Sequence, residues 1–391
     1  MNVKEWVQQV IKPAEIEKYL VNGKDFIDEK SIFGNLEKYR QPDKQQVRDI
    51  LQKSLDIKLL SPEETAVLLN VEDPGLLEEM REAALQVKKK VYDNRIVFFA
   101  PLYCSNLCVN SCVYCGFRSD NCAEKRHVLT MEEVRRETEA VIDEGHKRLI
   151  AVYGEHPQSD ADYIADSMAT IYATKRVTPT GSGFNNIRRI NINAAPMSIE
   201  NLRKLWRAGT YQVFQETYHP GRYAELHPAN TIKGNFRWRL YAMHRAMDAG
   251  IDDVAIGALF GLYDWRFEVM GLVHHAHDLE RQFGIGPHTI SFPRMQPALG
   301  SFVSENSPYL VRDDAFRRLV TVLRLAVPYT GLIVTARERA ELRREIINYG
   351  CTQTDASSKI GIGAYSEKKV QEELATEKQE PQKQENMEQQ K

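Results

Sequence analysis

The sequence has no continuous apolar run of about 18 residues, the length that a membrane-spanning helix requires. It also lacks an excess of charge of one sign, because 52 lysines and arginines against 54 aspartates and glutamates leave a net charge of −2. Its first twenty residues are charged and helical in pattern, without the apolar stretch of a secretory signal. These absences argue against a membrane span, a nucleic-acid partner and an anionic membrane surface as a partner.

Cysteine is scarce, and its distribution is informative. Five of the six cysteines lie between Cys104 and Cys122. This clustering fits a reducing cytosol and metal binding better than a disulfide framework, and it predicts a cytoplasmic protein. With 42% hydrophobic and 27% charged residues, the composition is that of a soluble globular protein, and 391 residues suffice for one large barrel or two ordinary domains.

Three of these cysteines, Cys108, Cys112 and Cys115, form a Cys-x3-Cys-x2-Cys motif in the segment LCVNSCVYCGFR. Three thiolates on one short loop can hold three irons of a 4Fe–4S cube and leave the fourth iron without a protein ligand. A closed structural zinc site normally takes four protein ligands. Two alternatives stay open: Cys104 as a fourth ligand of a zinc or electron-transfer site, and ordinary buried thiols.

An open iron predicts a particular cofactor. S-adenosylmethionine (SAM) can chelate such an iron through its amino and carboxylate groups, and an electron from the cluster then splits the sulfonium to give a 5′-deoxyadenosyl radical. Because oxygen attacks an open cluster, we expect an anaerobic or oxygen-protected host.

The periodicity divides the chain into three parts. Residues 1–95 show helical patterns with short polar turns and predict an N-terminal helical extension. Residues 366–391, rich in Glu, Gln and Lys, predict a disordered polar tail. Between them, residues 96–365 alternate apolar strands with amphipathic segments, which predicts an α/β fold, a (β/α)8 barrel of the TIM type. The eight predicted strands are 96–103, 148–154, 187–195, 210–218, 253–260, 288–294, 331–337 and 348–356.

The order of these segments also predicts where the cysteine motif lies. It follows the first predicted strand directly. Barrel enzymes build their sites from the C-terminal ends of the strands. We therefore expect the cluster at the mouth of the barrel.

Five further segments follow the cysteine motif. They are 153–155 (YGE), 191–193 (NIN), 215–219 (QETYH), 261–268 (GLYDWRFE) and 288–294 (HTISFPR). In this combination the sequence resembles the radical SAM aromatic amino-acid lyases, which include the tyrosine lyases of FeFe-hydrogenase maturation and the 2-iminoacetate synthases of thiamine biosynthesis. The resemblance covers residues 20–365, nearly all of the predicted folded part.

The resemblance implies a role for each matching residue around the cofactors. The three cysteines match the cluster ligands, and Tyr114 matches an aromatic residue that packs near the SAM adenine. Gly154 and Glu155 match the motif that binds the SAM amino group, and Glu216 matches a contact to the ribose hydroxyls. Each assignment has an open alternative. Tyr114 could belong to the core packing, and Glu155 could be a solvated acid. Glu216 could cap a helix or pair with a neighbouring arginine.

The same resemblance places the substrate. Arg337 matches an arginine that holds the carboxylate of an amino acid, which a planar guanidinium can grip with two parallel hydrogen bonds. Tyr103 matches a tyrosine near the substrate amino group, and Thr354 or Asp355 matches a polar contact to the same end. A structural role at a strand end is the alternative for each.

The activity that the resemblance implies is cleavage of the Cα–Cβ bond of tyrosine. The radical takes a hydrogen atom from the substrate amino nitrogen, and the products are dehydroglycine (2-iminoacetate) and p-cresol. The implied partners are L-tyrosine or a related amino acid, an electron donor such as flavodoxin or ferredoxin, and other hydrogenase maturases.

The sequence departs from the family pattern in two places. No cysteine follows Cys351, so the auxiliary cluster of the hydrogenase maturases has no ligands in this sequence. The family pattern Ser-x-Pro-Arg-Leu-Arg-Pro reads SFPRMQP over 291–297: Arg294, assigned to cofactor binding, is retained, whereas Gln296 replaces an arginine. Two alternatives to tyrosine cleavage therefore remain, a radical SAM enzyme for another amino acid and a non-catalytic iron–sulfur scaffold in metallocentre assembly.

Overall fold

The computed structural model describes residues 3–178, 180–297, 301–356, 358–359 and 361–366. Nearly all of the predicted tail, residues 367–391, lies outside the described residues. The boundaries predicted at residues 95 and 365 stay predictions.

Six helices precede the first strand. They are α1 (Val3–Val10), α2 (Ala14–Glu17), α3 (Glu29–Lys38), α4 (Lys44–Leu55), α5 (Pro62–Leu69) and α6 (Pro74–Tyr92). Local sequence determines where they begin: the Ser61 hydroxyl accepts from the Glu64 N–H at 3.2 Å, and the Glu64 carboxylate accepts from the Ser61 N–H at 2.7 Å, a capping box. The apolar faces of α4, α5 and α6 are buried, so these helices pack as an outer layer on the rest of the chain.

Eight parallel strands close into a barrel, which confirms the predicted (β/α)8 fold. Its strands are β1 (Val97–Ser105), β2 (Arg148–Tyr153), β5 (Arg189–Asn193), β6 (Thr210–Gln212), β7 (Val254–Gly257), β8 (Thr289–Ser291), β9 (Gly331–Val334) and β10 (Gln353–Asp355). Each overlaps one of the eight predicted segments. An antiparallel hairpin of β3 (Lys175–Val177) and β4 (Phe184–Asn186) was not predicted.

Helices connect and surround the strands. They are α7 (Met131–Asp143), α8 (Ala161–Ala173), α9 (Ile199–Arg203), α10 (Pro220–Leu226), α11 (Phe236–Leu240), α12 (Ala242–Asp248), α13 (Trp265–Phe283), α14 (Phe302–Asn306), α15 (Asp313–Ala326) and α16 (Ala340–Tyr349), with a 3-10 turn at Pro157–Ser159. None of the helices in the described part of the chain combines the length and hydropathy that crossing a lipid bilayer requires.

The register of the barrel decides which side chains point inward. Phe99, Ile150 and Ile333 form a small apolar cluster of their own inside the barrel, separate from the main core. Since successive strand residues alternate between faces, their neighbours Ala100, Leu149 and Leu332 point outward into the main core beneath the helices. The inward positions also include polar side chains, which the register places at Asn191, Gln212, Thr289 and Gln353.

A β-bulge interrupts β1 just before the cysteine loop. Tyr103 pairs with Val152 and Ser105 pairs with Tyr153, so Cys104 is an extra residue with no partner in β2. Bulges bend a strand and change the direction of its side chains, and they are common beside active sites. The chain leaves β1 at this bulge and enters the loop that carries the three cysteines.

Candidate functional site

The loop that carries the cysteines is held by a single arginine. The Arg126 guanidinium donates to the backbone carbonyls of Asn106 at 2.7 Å, Phe117 at 3.0 Å, Arg118 at 2.5 Å and Asn121 at 3.2 Å. These carbonyls lie at both ends of the loop, so the guanidinium closes it into a ring over the end of β1. Neither spacing nor resemblance indicated Arg126.

The three cysteines lie at the barrel mouth, as predicted from the segment order. Cys112 is buried among Tyr114, Leu226, Leu262 and Met295, in an apolar cluster separate from the main core, and Cys108 and Cys115 are half-buried. The charges of Cys108 and Cys115 both act on Cys112, so the three thiols are neighbours.

The three thiols are near one another but do not converge on a single point as metal ligands do. No group of three or more His, Cys, Asp or Glu side chains within the described ranges is gathered tightly enough to hold a metal ion as it stands. The fit to an iron–sulfur cluster therefore rests on the chemistry of the donors, three soft thiols on one loop.

Cys104 does not join the other three. It is fully buried in the main core, on the side of β1 that faces the helices, and its thiol is directed to the carbonyl oxygen of Leu102 at 4.0 Å. Cys112 belongs to the separate cluster at the mouth. The packing therefore gives no support to Cys104 as a fourth ligand.

Gly154 lets the end of β2 approach the cysteine loop. A Cβ at this position would lie 2.0 Å from the Leu107 carbonyl oxygen and 2.8 Å from the Leu107 carbonyl carbon, so only glycine fits. On either side the backbone is tied to the loop, with Gly154 N–H donating to Ser105 O and Val109 N–H donating to Glu155 O, both at 2.9 Å. The loop and the end of β2 form one unit.

The adjacent carboxylate of Glu155 is buried, with 7% of the residue exposed. Its Oε2 accepts a hydrogen bond from the Asn110 side chain at 2.5 Å, whereas its Oε1 has no hydrogen-bond partner among the described residues. Burial raises the pKa of this carboxyl above its usual range, and the Asn110 hydrogen bond opposes that rise. The solvated-acid alternative is therefore wrong.

Glu216, beyond the end of β6, lies between two cations. Its Oε1 accepts from Lys233 Nζ at 2.8 Å and from Arg239 Nη2 at 3.0 Å. Burial alone would raise the pKa of Glu216, but the two cations bring that pKa below its usual value. The ion-pair alternative is thus present in the structure, although a carboxylate paired through one oxygen can still accept at the other.

Tyr114 packs beside this group. Its hydroxyl donates to His227 Nε2 at 2.7 Å, because His227 Nδ1 faces the Tyr223 carbonyl oxygen at 2.8 Å and carries the hydrogen. The Lys233 ammonium lies 5.5 Å from the centre of the Tyr114 ring. The ring is thereby fixed between the cysteine loop and the residues around Glu216.

Three of the predicted substrate residues, Tyr103, Arg337 and Asp355, lie near one another at the C-terminal end of the barrel strands. Tyr103 is close enough to Arg337, Asp355 and Cys115 for all three charges to act on it. Burial raises the pKa of Tyr103, and Arg337 opposes that rise through its charge and a hydrogen bond. The Arg337 side chain itself is exposed. The Asp355 carboxylate accepts from the Ala336 N–H at 2.6 Å, beside Arg337.

Thr354 does not belong to this group. Phe99, which points inward, pairs with Asp355, so the register places Asp355 inside the barrel and Thr354 on the outer face. Thr354 pairs with Val334, which is part of the main core, and only 3% of Thr354 is exposed. Of the two predicted residues at this position, the register supports Asp355 alone.

Arg294, three residues beyond the end of β8, is paired with two carboxylates. Its guanidinium is paired with the buried carboxylate of Glu338, donates to Asp313 and to the Val311 carbonyl at 2.9 Å each, and stacks 4.5 Å from the Phe316 ring centre. These partners occupy the Arg294 guanidinium in the structure, so its contacts give no support to a role in cofactor binding. The assignment of Arg294 to cofactor binding stays a prediction.

Several residues around the site were not predicted. Asn110 bridges Glu155 and the backbone N–H of Lys233, and Lys233 and Arg239 pair with Glu216. Lys233 and Arg239 stand in the segment TIKGNFRWRL, which has no distinctive spacing, so only the folded chain shows their role. Trp6 of α1 is another: with Glu155 it lines a cavity of about 240 Å³ between α1 and the ends of β2 and β5.

The mouth carries buried polar atoms that the protein does not pair internally. Within the described residues, Glu155 Oε1, Ser105 Oγ and both amide atoms of Gln215 have no hydrogen-bond partner. Buried polar groups are normally satisfied, and exceptions in a native protein call for a ligand or water. These atoms and the cysteine loop fit a polar cofactor held beside a metal cluster, as SAM and a 4Fe–4S cluster require.

Two family models match the chain. The model described as the Radical SAM superfamily matches residues 102–270, and that of the Biotin and Thiamin Synthesis associated domain matches residues 291–389. The first covers the cysteine motif and the strands from β1 to β7.

Curated and solved relatives agree. The 2-iminoacetate synthases of Salmonella typhimurium and Escherichia coli are both 30% identical, over 322 and 321 residues respectively, and 81% of each chain is covered. The crystal structure of HydG, a maturase of the [FeFe]-hydrogenase, superposes with a TM-score of 0.84 at 47% identity, covering 88% of this chain and 75% of that one. HydG from Carboxydothermus hydrogenoformans superposes with a TM-score of 0.78 at 38% identity, covering 91% of this chain and 78% of that one.

The closed barrel, with three cysteines on the loop after its first strand, defines a radical SAM enzyme. The chain belongs to the radical SAM family that includes 2-iminoacetate synthase and HydG. The predicted class, a radical SAM carbon–carbon lyase, is confirmed at the level of this family, and so are its cofactors, a 4Fe–4S cluster and SAM.

Proposed function

We propose that this enzyme cleaves the Cα–Cβ bond of L-tyrosine to give dehydroglycine (2-iminoacetate) and p-cresol. One observation carries the proposal: the register places Tyr103 and Asp355 on the inner face of the barrel, and Arg337 is within electrostatic range of Tyr103. A guanidinium can bind the carboxylate of an amino acid, and a carboxylate can bind its ammonium group. The relatives named 2-iminoacetate synthase support the same product.

The cofactor residues in this proposal are those that the sequence resemblance implied. Cys108, Cys112 and Cys115 would hold the cluster, with Glu155 and Glu216 receiving the amino and ribose groups of SAM. When bound, the two cofactors supply a 5′-deoxyadenosyl radical that takes a hydrogen atom from the substrate. The protein excludes water and holds the substrate N–H within reach.

The substrate residues have distinct tasks in this proposal. Arg337 binds the tyrosine carboxylate through two parallel hydrogen bonds. Asp355 accepts from the substrate ammonium group, and its own carboxylate is oriented by the backbone N–H of Ala336 and the hydroxyl of Ser358. Tyr103, fixed edge-on against Phe117 with ring centres 6.0 Å apart, closes the pocket beside the amino group.

The proposal covers the lyase step and its place in hydrogenase maturation. The similarity to HydG supports a link to FeFe-hydrogenase assembly, with other maturases as partners and flavodoxin or ferredoxin as electron donor. Because this sequence contains no cysteine after Cys351, we do not extend the proposal to carbon monoxide and cyanide formation.

The decisive experiment is an anaerobic assay of the reconstituted protein with SAM, dithionite and L-tyrosine. We expect p-cresol and 5′-deoxyadenosine to form together, measured by liquid chromatography with mass spectrometry. Deoxyadenosine without p-cresol would assign the site to another amino acid, and intact SAM despite a bound cluster would indicate a scaffold.

Replacing Arg337 by alanine is expected to raise the KM for tyrosine about twofold to fivefold, because it removes the exposed partner of the substrate carboxylate. SAM binding should be unaffected. The measurement is p-cresol formation against tyrosine concentration. Arg339→Ala is the matched control, since Arg339 is two residues away, 70% exposed and paired with Asp313. Equal KM values for the two variants would remove Arg337 from the site.

A further inference from the structure

Glu216 has an unusual backbone conformation. Its φ angle is +72°, in the left-handed region that residues other than glycine rarely adopt. Such a conformation is strained and persists only where the surroundings impose it. The contacts that impose it therefore also determine where the Glu216 carboxylate points.

One buried carboxyl group binds the two residues that follow Glu216. Glu268, in the first turn of α13, is fully buried. Its Oε1 accepts from the Thr217 hydroxyl at 2.5 Å, and its Oε2 accepts from the backbone N–H of Tyr218 at 2.8 Å. These contacts join the segment QETYH to the segment GLYDWRFE, which the sequence presents as unconnected motifs.

The packing around these hydrogen bonds leaves little freedom. Gly271 lets the Tyr218 ring lie against α13, since a Cβ there would be 2.4 Å from Tyr218 Cβ. The Tyr218 hydroxyl pairs with His275 Nδ1 at 2.8 Å, and the His219 ring stacks on Tyr263 with centres 4.1 Å apart. Both residues that follow Thr217 are thus held by α13 or by the turn that leads into it.

The barrel holds the backbone groups of Gln215 and Glu216. The Glu216 carbonyl oxygen accepts from the Leu259 N–H at 2.8 Å, and the Gln215 N–H donates to the Gly257 carbonyl at 2.9 Å. Glu268 fixes the course of the chain immediately after these contacts. When the hydrogen bonds to Glu268 are removed, we expect Thr217 and Tyr218 to move and to shift the φ angle and the carboxylate of Glu216.

No cation is among the charges that act on Glu268, and burial raises its pKa to about 8. A buried carboxyl without a cation costs stability compared with an apolar residue. Its presence here is accounted for by the two hydrogen bonds that it accepts.

We propose that Glu268 is a positioning residue that holds Glu216 in its left-handed conformation, so that the Glu216 carboxylate can bind SAM. The proposal rests on the proposed role of Glu216 in the SAM site. In this proposal a residue of α13, a helix outside the barrel, orients a residue that binds SAM.

The test is the dissociation constant of SAM, measured by equilibrium dialysis with the cluster-loaded protein in three variants. Glu268→Ala removes the hydrogen bonds to both Thr217 and Tyr218 and is expected to weaken SAM binding roughly tenfold. Thr217→Val removes only the first of these hydrogen bonds and is expected to weaken SAM binding about threefold. Glu268→Gln keeps an acceptor for Tyr218 and a partner for Thr217, so we expect it to bind SAM within about twofold of the parent protein. If Glu268→Ala does not fold, Thr217→Val decides.

Two controls separate positioning from stability and from the assigned function. Asp278→Ala removes another buried carboxylate of α13, which pairs with His244, and should lower the melting temperature without changing SAM affinity. Glu216→Gln should weaken SAM binding by itself. Parent-like affinity in Thr217→Val and Glu268→Ala would overturn the proposal. Parent-like affinity in Glu216→Gln would instead remove Glu216 from the SAM site, whichever amino acid the enzyme cleaves.

Discussion

Replacement of Cys112 by alanine is expected to abolish the cluster and with it all cleavage of SAM. Cys112 is the most deeply buried of the three thiols, and its carbonyl oxygen accepts from the Cys115 N–H at 3.1 Å, so it lies at the turn that brings the other two together. Two thiolates cannot hold three irons of a cube. Iron and sulfide content, the visible spectrum and 5′-deoxyadenosine formation measure the loss.

Two other cysteines provide matched controls for this experiment. Cys122 is exposed, and Cys104 is buried in the main core. Cys122→Ala and Cys104→Ala should therefore retain iron, sulfide and SAM cleavage. A full cluster in Cys112→Ala, or a lost cluster in Cys104→Ala, would contradict the ligand set and point to a site that uses the Cys104 thiolate.

The second large effect is expected from Gly154→Ala. The new methyl group would lie 2.0 Å from the Leu107 carbonyl oxygen, which is backbone and cannot move without opening the cysteine loop. Forcing the two segments apart costs about 1–3 kcal/mol of stability. It also displaces Glu155, whose carbonyl binds the loop at Val109. We expect at least a roughly tenfold loss of SAM affinity, because the shift disrupts polar contacts to the cofactor.

The control for this prediction is Gly34→Ala. Gly34 lies in α3, and no heavy atom would come within 4 Å of its Cβ. Alanine should be neutral or stabilise the protein by up to about 1 kcal/mol through helix propensity. Thermal unfolding and SAM dialysis of both variants measure the difference. Unchanged SAM binding in Gly154→Ala would show that the loop and β2 need not be in contact.

Gly154 also illustrates what the sequence could and could not indicate about the site. The motif marked Gly154 and Glu155 as important, and the order of segments placed the cysteines at the barrel mouth. The reason for glycine, a backbone contact with Leu107, involves a residue 47 positions earlier in the chain (154 − 107) and appears only on folding.

The assignment of Thr354 shows why a strand end is hard to interpret from sequence. A position there is equally consistent with the inside and the outside of the barrel. The side-chain period of a strand is two, so one residue decides between the lumen and the helices. At β10 the register separates Thr354 from Asp355.

The hairpin of β3 and β4 was not predicted for a different reason. Its strands have three residues each, and Val177 and Phe184 are exposed, so no alternation of buried and exposed residues marks it. Short exposed strands carry no hydrophobic periodicity to detect.

Periodicity and spacing, which are local properties, were enough to predict the barrel and a metal-binding cysteine loop, and the resemblance of the motifs added the class. Eight apolar segments at barrel spacing indicate the fold, and three cysteines within eight residues indicate an open cluster on a loop after the first strand. Only the tertiary structure showed which groups surround Glu155 and Glu216. Asn110, Lys233, Arg239 and Glu268 act through hydrogen bonds and ion pairs between distant parts of the chain, and such pairs depend on the folded distance between atoms.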